Sequence, residues 1–262
     1  YVSKSIQTSL GTFSAGAEMK ALQRKGMSGA HAVTRYEPFK QNYVKVFNES
    51  GNYFTFMWPA MLTVVLQQVI LLAMAISIAA EVEKGTLGTY ISGYSNSALG
   101  TVLAKVLPIW VFSFPIILMF YGFHVYFNAP LPTSAFNFAV ISALFVMAAT
   151  FLGTLFSAII PDALKATQIL MLISAPGFII GGYTWPMESM ATWIQALANV
   201  LPLTPFLTAF KLMLYEGAEL SQVSDSVLHL IFQVIVYFIV SVVLVKWRMK
   251  KLVKQQVDVD QH

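Results

Sequence analysis

Five long apolar stretches constrain this chain more than any other feature of its sequence. They cover residues 54–80, 106–127, 136–160, 166–182 and 227–245, and none of them carries an Asp, Glu, Lys or Arg. A helix needs about 20 apolar residues to cross the hydrocarbon core of a bilayer, and each stretch reaches or approaches that length. The stretches are continuously apolar rather than alternating, which argues against a β-barrel. They predict an all-α membrane protein, a polytopic bundle of five transmembrane helices.

Composition excludes most other classes of protein. Hydrophobic residues make up 57% of the 262 residues and charged residues only 11%, whereas an average soluble domain has about 25% charged residues. The chain has no cysteine, so thiol chemistry, disulfides and thiolate metal sites are excluded. The distribution of its charges does not suggest nucleic-acid binding. We therefore expect a lipid bilayer as its surroundings and no nucleic-acid partner.

A sixth apolar region, residues 191–210, requires a separate argument. Its Leu-Pro-Leu-Thr-Pro step, residues 201–205, would break a spanning helix near the middle. With five spans, eight basic residues fall on one side, which the positive-inside rule identifies as the cytoplasm. These are Lys84, Lys105, Lys165, Lys246, Arg248, Lys250, Lys251 and Lys254. We therefore interpret residues 187–215 as a short re-entrant external helix pair, and we expect a cytoplasmic C-terminus.

This topology divides the chain into two parts. Residues 1–53 lie outside and are interpreted as the end of an external, periplasmic domain whose beginning is missing. Residues 54–262 form the transmembrane domain. The external part has a helical pattern over residues 15–25 and a strand-like pattern over residues 42–47.

Several kinds of chemistry are not supported by the sequence. There is no phosphate-binding loop that ends in Gly-Lys-Ser/Thr. The four histidines are far apart, so no metal site is expected; they are His31, His124, His229 and His262. An ion-coupled carrier normally has charged groups inside its spans, and these spans have none. The energy for any transport is therefore expected to come from a source other than an ion gradient.

The segment after the first span carries the most informative polar residues. It reads Glu81-Val82-Glu83-Lys84-Gly85-Thr86, and Lys84 is spaced to pair with Glu81 on one helical face. Taken alone, these residues fit either a solvated loop between helices or a short helix that presents carboxylates to a partner.

This segment resembles the signature of type-2 ATP-binding-cassette (ABC) exporter permeases, which carry Glu-x-Glu-Lys-Gly-Thr just after their second helix. Leu103-Ala104-Lys105, the turn at residues 183–187 and the break at residues 201–205 are also similar to the family pattern. The resemblance implies a multidrug- or efflux-like permease subunit, N-terminally truncated, in a bacterial inner membrane. It implies cytoplasmic ABC ATPase subunits that bind ATP and Mg, no cofactor on this chain, no enzymatic activity of its own, and a second permease copy or paralogue.

The resemblance also suggests roles for individual residues. Those expected to couple the permease to the ATPase are Glu81, Glu83, Lys84, Gly85 and Thr86. The polar side chains that the spans themselves offer for a substrate path are Gln67, Gln68, Gln168 and Ser174. Those suggested for an outer gate are Trp185, Pro186, Pro202 and Pro205. Polar residues within spans also serve as contacts between helices, and that alternative stays open. The alternative function is a membrane-anchored enzyme or assembly factor that acts through a missing external domain.

Overall fold

The structure is a computed structural model that describes residues 2–26, 53–84, 87 and 97–260. All regular structure in these ranges is helical, as the apolar stretches predict. The α-helices are α1 (Val2–Arg24), α2 (Tyr53–Glu83), α3 (Ala98–Tyr126), α4 (Ala135–Ile159), α5 (Ala163–Ser174), α6 (Gly177–Ile180), α7 (Thr192–Val200), α8 (Leu203–Tyr215) and α9 (Ser224–Asp260). A 3₁₀ turn covers Met187–Ser189.

Five helical segments of the described chain are long and apolar enough to cross a membrane. They are α2, α3, α4, the combined segment Ala163–Ile180 and the first part of α9, Ser224–Leu252. The five-span prediction is therefore confirmed, although helix ends differ from the apolar limits. For example, α3 begins at Ala98 rather than at residue 106, because Ser97 caps it by accepting a hydrogen bond from Gly100 N at 3.4 Å.

The region predicted to re-enter the membrane folds as two helices with a sharp bend. The axes of α7 and α8 differ in direction by 86° at the break. Pro202 occupies the N-cap of α8, where its missing N–H costs no helical hydrogen bond. The proline therefore starts a second helix here instead of continuing the first one.

Helix α4 lies at the centre of the bundle and packs most extensively on α9 and α2. Ser157 explains part of its close contact with α2. Its hydroxyl accepts hydrogen bonds from Ile78 N at 3.1 Å and Ala79 N at 2.9 Å, and it donates to Ala75 O at 2.8 Å. The backbone of α2 is thus bound directly by a side chain of α4.

Gly153 of α4, which has no side chain, allows α4 to lie this close to α2. A Cβ atom added at Gly153 would lie 2.6 Å from Met74 Cβ, which is closer than van der Waals contact allows. Small residues at such contacts are typical of helices that pack inside membranes.

The chain divides into two compact units, Tyr1–Lys45 and Val46–His262. Within the first unit, α1 is longer than the helix predicted over residues 15–25. The strand-like pattern at residues 42–47 lies outside the described residues. The assignment of residues 1–53 to an external domain stays a prediction.

Candidate functional site

The end of α2 lies against the beginning of α3, where the coupling segment is predicted. The Glu81 carboxylate accepts a hydrogen bond from Lys105 Nζ, and the two side chains are 19% and 27% exposed respectively. The predicted pairing of Glu81 with Lys84 is therefore replaced by a pairing between helices. The backbone of Lys84 continues the helical turn, since its N–H donates to Ala80 O at 3.1 Å, but the Lys84 side chain is exposed and Glu81 pairs with Lys105 of α3.

Glu83 connects the same end of α2 to the beginning of α5. Its Oε2 accepts a hydrogen bond from Ala163 N at 3.3 Å. Asp162 caps α5 by accepting from Lys165 N at 2.9 Å, and this backbone hydrogen bond is the main reason that the pKa of Asp162 is lowered. Both carboxylates therefore lie where the dipole of α5 favours negative charge.

The structure describes only one of the three remaining predicted coupling residues. Lys84 is exposed, whereas Gly85 and Thr86 lie outside the described residues. Leu87 is described and is 1% exposed, so the segment returns to the apolar core one residue after Thr86. The coupling role of all five residues stays a prediction.

Arg248 brings α9 to this same end of the bundle, which we call the basic end. Its guanidinium donates from Nε to Ala158 O at 3.1 Å and from Nη2 to Ile159 O at 2.8 Å, which satisfies carbonyls at the C-terminus of α4. The sequence analysis counts Arg248 among the basic residues on the cytoplasmic side and does not predict this contact. The sequence feature that could have indicated this contact is an arginine among lysines, because only arginine can donate two hydrogen bonds in a fixed fork.

Two of the four polar residues suggested for a substrate path meet between α2 and α5. Gln67 Nε2 donates to Ser174 Oγ at 2.9 Å, and both residues are fully buried. The buried carbonyl oxygens of Gln67 and Gln68 have no hydrogen-bond partner among the described residues. Gln168 is exposed and does not join them. The arrangement leaves acceptor groups inside an otherwise apolar contact, where a partner would be favourable.

The residues suggested for an outer gate divide between two places at the opposite end of the bundle. Trp185 and Pro186 are exposed in the turn after α6, with Trp185 59% exposed. Pro202 and Pro205 are buried at the bend between α7 and α8. The two pairs therefore differ in exposure, and their role in gating stays a prediction.

Two tyrosines bind the beginning of α2 at this opposite end. Tyr183 Oη donates to Phe56 O at 2.7 Å, and Tyr215 Oη donates to Thr55 O at 2.9 Å. Burial raises the pKa of the Tyr183 phenol, which keeps it protonated and able to donate. Sequence reasoning noted the turn that contains Tyr183 but not this contact.

Three polar side chains on one face of α9 contact backbone carbonyls at the C-terminal end of α7. His229 Nε2 and Gln233 Nε2 lie 3.1 and 2.8 Å from Asn199 O, and Tyr237 Oη donates to Val200 O at 2.6 Å. These side chains occupy positions i, i+4 and i+8 of one helical face. This spacing can be seen in the sequence, but the carbonyl groups that the three side chains contact cannot be inferred from it.

Within the described residues no group of His, Asp or Glu side chains could hold a metal ion. A family model described as "ABC-2 family transporter protein" matches residues 1–243 of the chain. No curated protein and no solved structure matches it significantly.

Proposed function

Because this chain belongs to the ABC-2 transporter family, we propose that it is the permease of an exporter driven by ATP hydrolysis on a separate cytoplasmic subunit. The family and the five apolar helices make it an integral membrane permease component of an ABC transporter rather than an enzyme. Coupling to a separate ATPase, export as the direction of transport, and the identity of the partners are the proposed steps.

The contacts at the end of α2 carry this proposal. Glu81 joins α2 to α3 through Lys105, and Glu83 joins α2 to α5 through Ala163 N. A force applied to the segment after α2 would therefore act on three spans together. Such a connection suits a rigid-body switch between two states, which ATP binding on a partner could bias.

The proposed topology places the basic end in the cytoplasm. The basic residues near this end include Lys84, Lys105, Lys165 and Arg248, and the positive-inside rule assigns such a cluster to the cytoplasmic side. The C-terminal part of α9 then lies in the cytoplasm, and the bend between α7 and α8 lies outside. A bacterial inner membrane is the proposed location, on the basis of the family resemblance.

The substrate path is proposed to lie beside α2 and α5, at an interface with a second permease copy or a paralogue. The buried pair of Gln67 and Ser174 supports this placement, because its spare acceptor groups could contact a substrate. The tyrosine contacts to Thr55 and Phe56 would keep the outer end closed. ATP and Mg would bind to the partner ATPase.

A pull-down from the native host tests the proposed function. The full-length protein is purified in a mild detergent, and copurifying proteins are identified by mass spectrometry. We expect an ATPase with a phosphate-binding loop to copurify with the wild type and to be reduced or uncoupled in the Glu81→Lys/Glu83→Lys variant. A Lys250→Gln variant, which changes an exposed basic residue, is the matched control.

The result that would overturn the proposal is a folded, dimeric preparation without any ATPase in wild type and variants alike. An enzymatic or assembly activity measured in that preparation would instead support the membrane-anchored alternative, with its chemistry on an external domain.

A further inference from the structure

A row of exposed side chains runs along α9 and ends in a positively charged residue. Its members follow one another at intervals of four residues and are Ile235, Ile239, Val243, Trp247 and Lys251. Residues four apart lie on the same side of an α-helix, so the five side chains form one continuous strip, which we call the α9 row. The strip is aliphatic over its first three residues, aromatic at the fourth and cationic at the fifth.

The length of the α9 row matches the depth of one bilayer leaflet. Ile235 lies near the middle of the apolar stretch of residues 227–245. At a rise of about 1.5 Å per residue, the row covers about 18 Å from Ile235 to Trp247, whereas half of the hydrocarbon core is about 15 Å thick. Trp247 therefore lies at the level of the lipid headgroups, where tryptophan is enriched in membrane proteins. The row thus leads from the bilayer centre to the headgroup region.

Two cations lie close to the ring of Trp247. Arg248 Cζ is 5.4 Å and Lys251 Nζ is 5.6 Å from the centroid of the ring. Arg248 is held in place by its hydrogen bonds to the end of α4, whereas Lys251 forms no salt bridge with a carboxylate of the described residues. Between Asp225 and Asp258 the sequence has no acidic residue. Because like charges around one ring repel each other, an anion beside them would be favourable.

A membrane lipid with a negative headgroup fits both parts of the row. Its acyl chain would follow the aliphatic side chains, and its phosphate would accept hydrogen bonds from the Lys251 ammonium and the Trp247 indole N–H. A zwitterionic lipid would bring its own cation to the same place, where it would be repelled. The charges therefore favour an anionic phospholipid over a zwitterionic one.

Other occupants fit only one part of the row. A second copy of the chain in the same membrane orientation would carry its own Trp247 and Lys251 at the same depth, so cations would face cations across the contact. A soluble partner could reach Lys251 but not Ile239 or Val243, which lie at the depth of the hydrocarbon. Neither occupant provides an anion above an apolar chain.

We propose that the α9 row binds one anionic phospholipid, with its phosphate at Lys251 and Trp247 and one acyl chain along Ile239 and Val243. Lys246 and Lys250, which are also exposed, attract anions in general but do not belong to the row. The site does not depend on the proposed ATPase contact or on the proposed substrate path, because neither involves this face of α9.

Photo-crosslinking with two matched lipids tests this proposal. The protein is reconstituted in phosphatidylcholine vesicles with a trace of phosphatidylglycerol or phosphatidylcholine that carries a diazirine on one acyl chain, and adducts are mapped by mass spectrometry. We expect several-fold more adducts on residues 235–251 with the phosphatidylglycerol probe than with the phosphatidylcholine probe. Residues 111–119, a largely exposed part of α3 without a basic residue, should react about equally with both. Equal reaction of residues 235–251 with the two probes would overturn the proposal.

Variants distinguish a site from a general attraction to positive charge. Lys251→Gln removes the ammonium group, and Trp247→Leu removes the ring but keeps an apolar side chain. Each should remove most of the preference for phosphatidylglycerol, and thermal unfolding in detergent checks that the variants fold. Lys250→Gln removes the same charge next to Lys251 but outside the row, so it should keep most of the preference. An equal loss in Lys250→Gln and Lys251→Gln would mean diffuse attraction only and would overturn the proposed site.

Two further readouts address the other occupants. These 262 residues contain no cysteine, so Ile239→Cys reports contact with a second copy, and we expect no disulfide-linked dimer. A dimer linked through this position would show that a second copy covers the row, and it would overturn the lipid assignment. A Lys251→Gln variant that loses a copurifying ATPase but keeps the lipid preference would assign Lys251 to a protein contact, which would also overturn it.

Discussion

Glu81 at the end of α2 accepts a hydrogen bond from Lys105 near the beginning of α3. Glu81 belongs to the segment that the family resemblance suggests as the contact with an ATPase, and Lys105 lies on the helix that follows this segment. Their pairing therefore connects that segment to two spans at once. This relationship is the structural basis of the proposed coupling.

A charge-swap experiment tests whether the pair matters. Glu81→Lys or Lys105→Glu alone places like charges together, and each should reduce ATP-dependent activity of the purified complex. A partly exposed pair contributes about 0.5–1 kcal/mol, or roughly two- to fivefold. The double variant restores opposite charges and should recover most of the activity. Loss in the double variant equal to the sum of the single losses would contradict the pairing.

The close contact of α2 and α4 predicts that Gly153 tolerates no side chain. Gly153→Ala forces its Cβ against Met74 and should lower the free energy of unfolding by about 1–3 kcal/mol. Gly122 on α3 has nothing within 4 Å of an added Cβ, so Gly122→Ala should be neutral or stabilising by about 0.5–1 kcal/mol. Thermal unfolding in detergent measures both. Equal effects at the two glycines would contradict the proposed packing.

Variants of the buried contact between Gln67 and Ser174 should distinguish an effect on stability from an effect on transport. Ser174→Ala removes the acceptor of the Gln67 amide and should destabilise the protein by about 0.6–1.7 kcal/mol, the range for hydrogen bonds between membrane helices. Gln67→Met removes the polar group at similar volume. If the pair serves a substrate path, Gln67→Met should reduce transport while the thermal midpoint stays near that of the wild type.

Lys250→Gln is the control for this pair, because Lys250 is exposed on α9, a helix that contributes neither residue. It should change neither the midpoint nor transport. Transport that survives Gln67→Met unchanged would identify the pair as a contact between helices only.

Arg248 should be more important for stability than its basic neighbours. Arg248→Met removes two hydrogen bonds to the end of α4 and should cost about 1.5–3 kcal/mol, because hydrogen bonds from charged donors are stronger than neutral ones. Arg248→Lys should recover only part of this, because lysine lacks the fork. Lys250→Gln, at an exposed position, should have little effect. Equal midpoints for Arg248→Met and Lys250→Gln would contradict the capping role.

The features that sequence predicts here are those that depend on local composition. Long uncharged runs predict the five spans, because burying a charge in hydrocarbon is costly wherever the helix lies. Pro202 predicts the bend between α7 and α8, because a proline restricts its own backbone. Neither inference requires knowledge of how the helices pack.

The contacts across the bundle could not be predicted in this way. Ser174 and Gln67 were both singled out, but their meeting depends on how α2 and α5 are rotated about their axes. The same is true of Ser157 against α2 and of Tyr237 against the end of α7. Nothing in the local pattern of a polar residue inside a span states which helix it faces.

A cross-linking measurement tests the central claim most directly, namely that an ATPase contacts the end of α2. Lys84 is exposed and these 262 residues contain no cysteine, so Lys84→Cys adds the one thiol among them, beside Glu81 and Glu83. Trp185→Cys, which is exposed at the opposite end of the bundle, is the control. The complex purified from the native host is treated with a short bifunctional thiol reagent with and without ATP. The account predicts a product that contains the ATPase for Lys84→Cys, with a yield that changes on ATP addition, and none for Trp185→Cys. A copurifying ATPase that cross-links from Trp185→Cys and not from Lys84→Cys would contradict both the proposed topology and the proposed coupling segment.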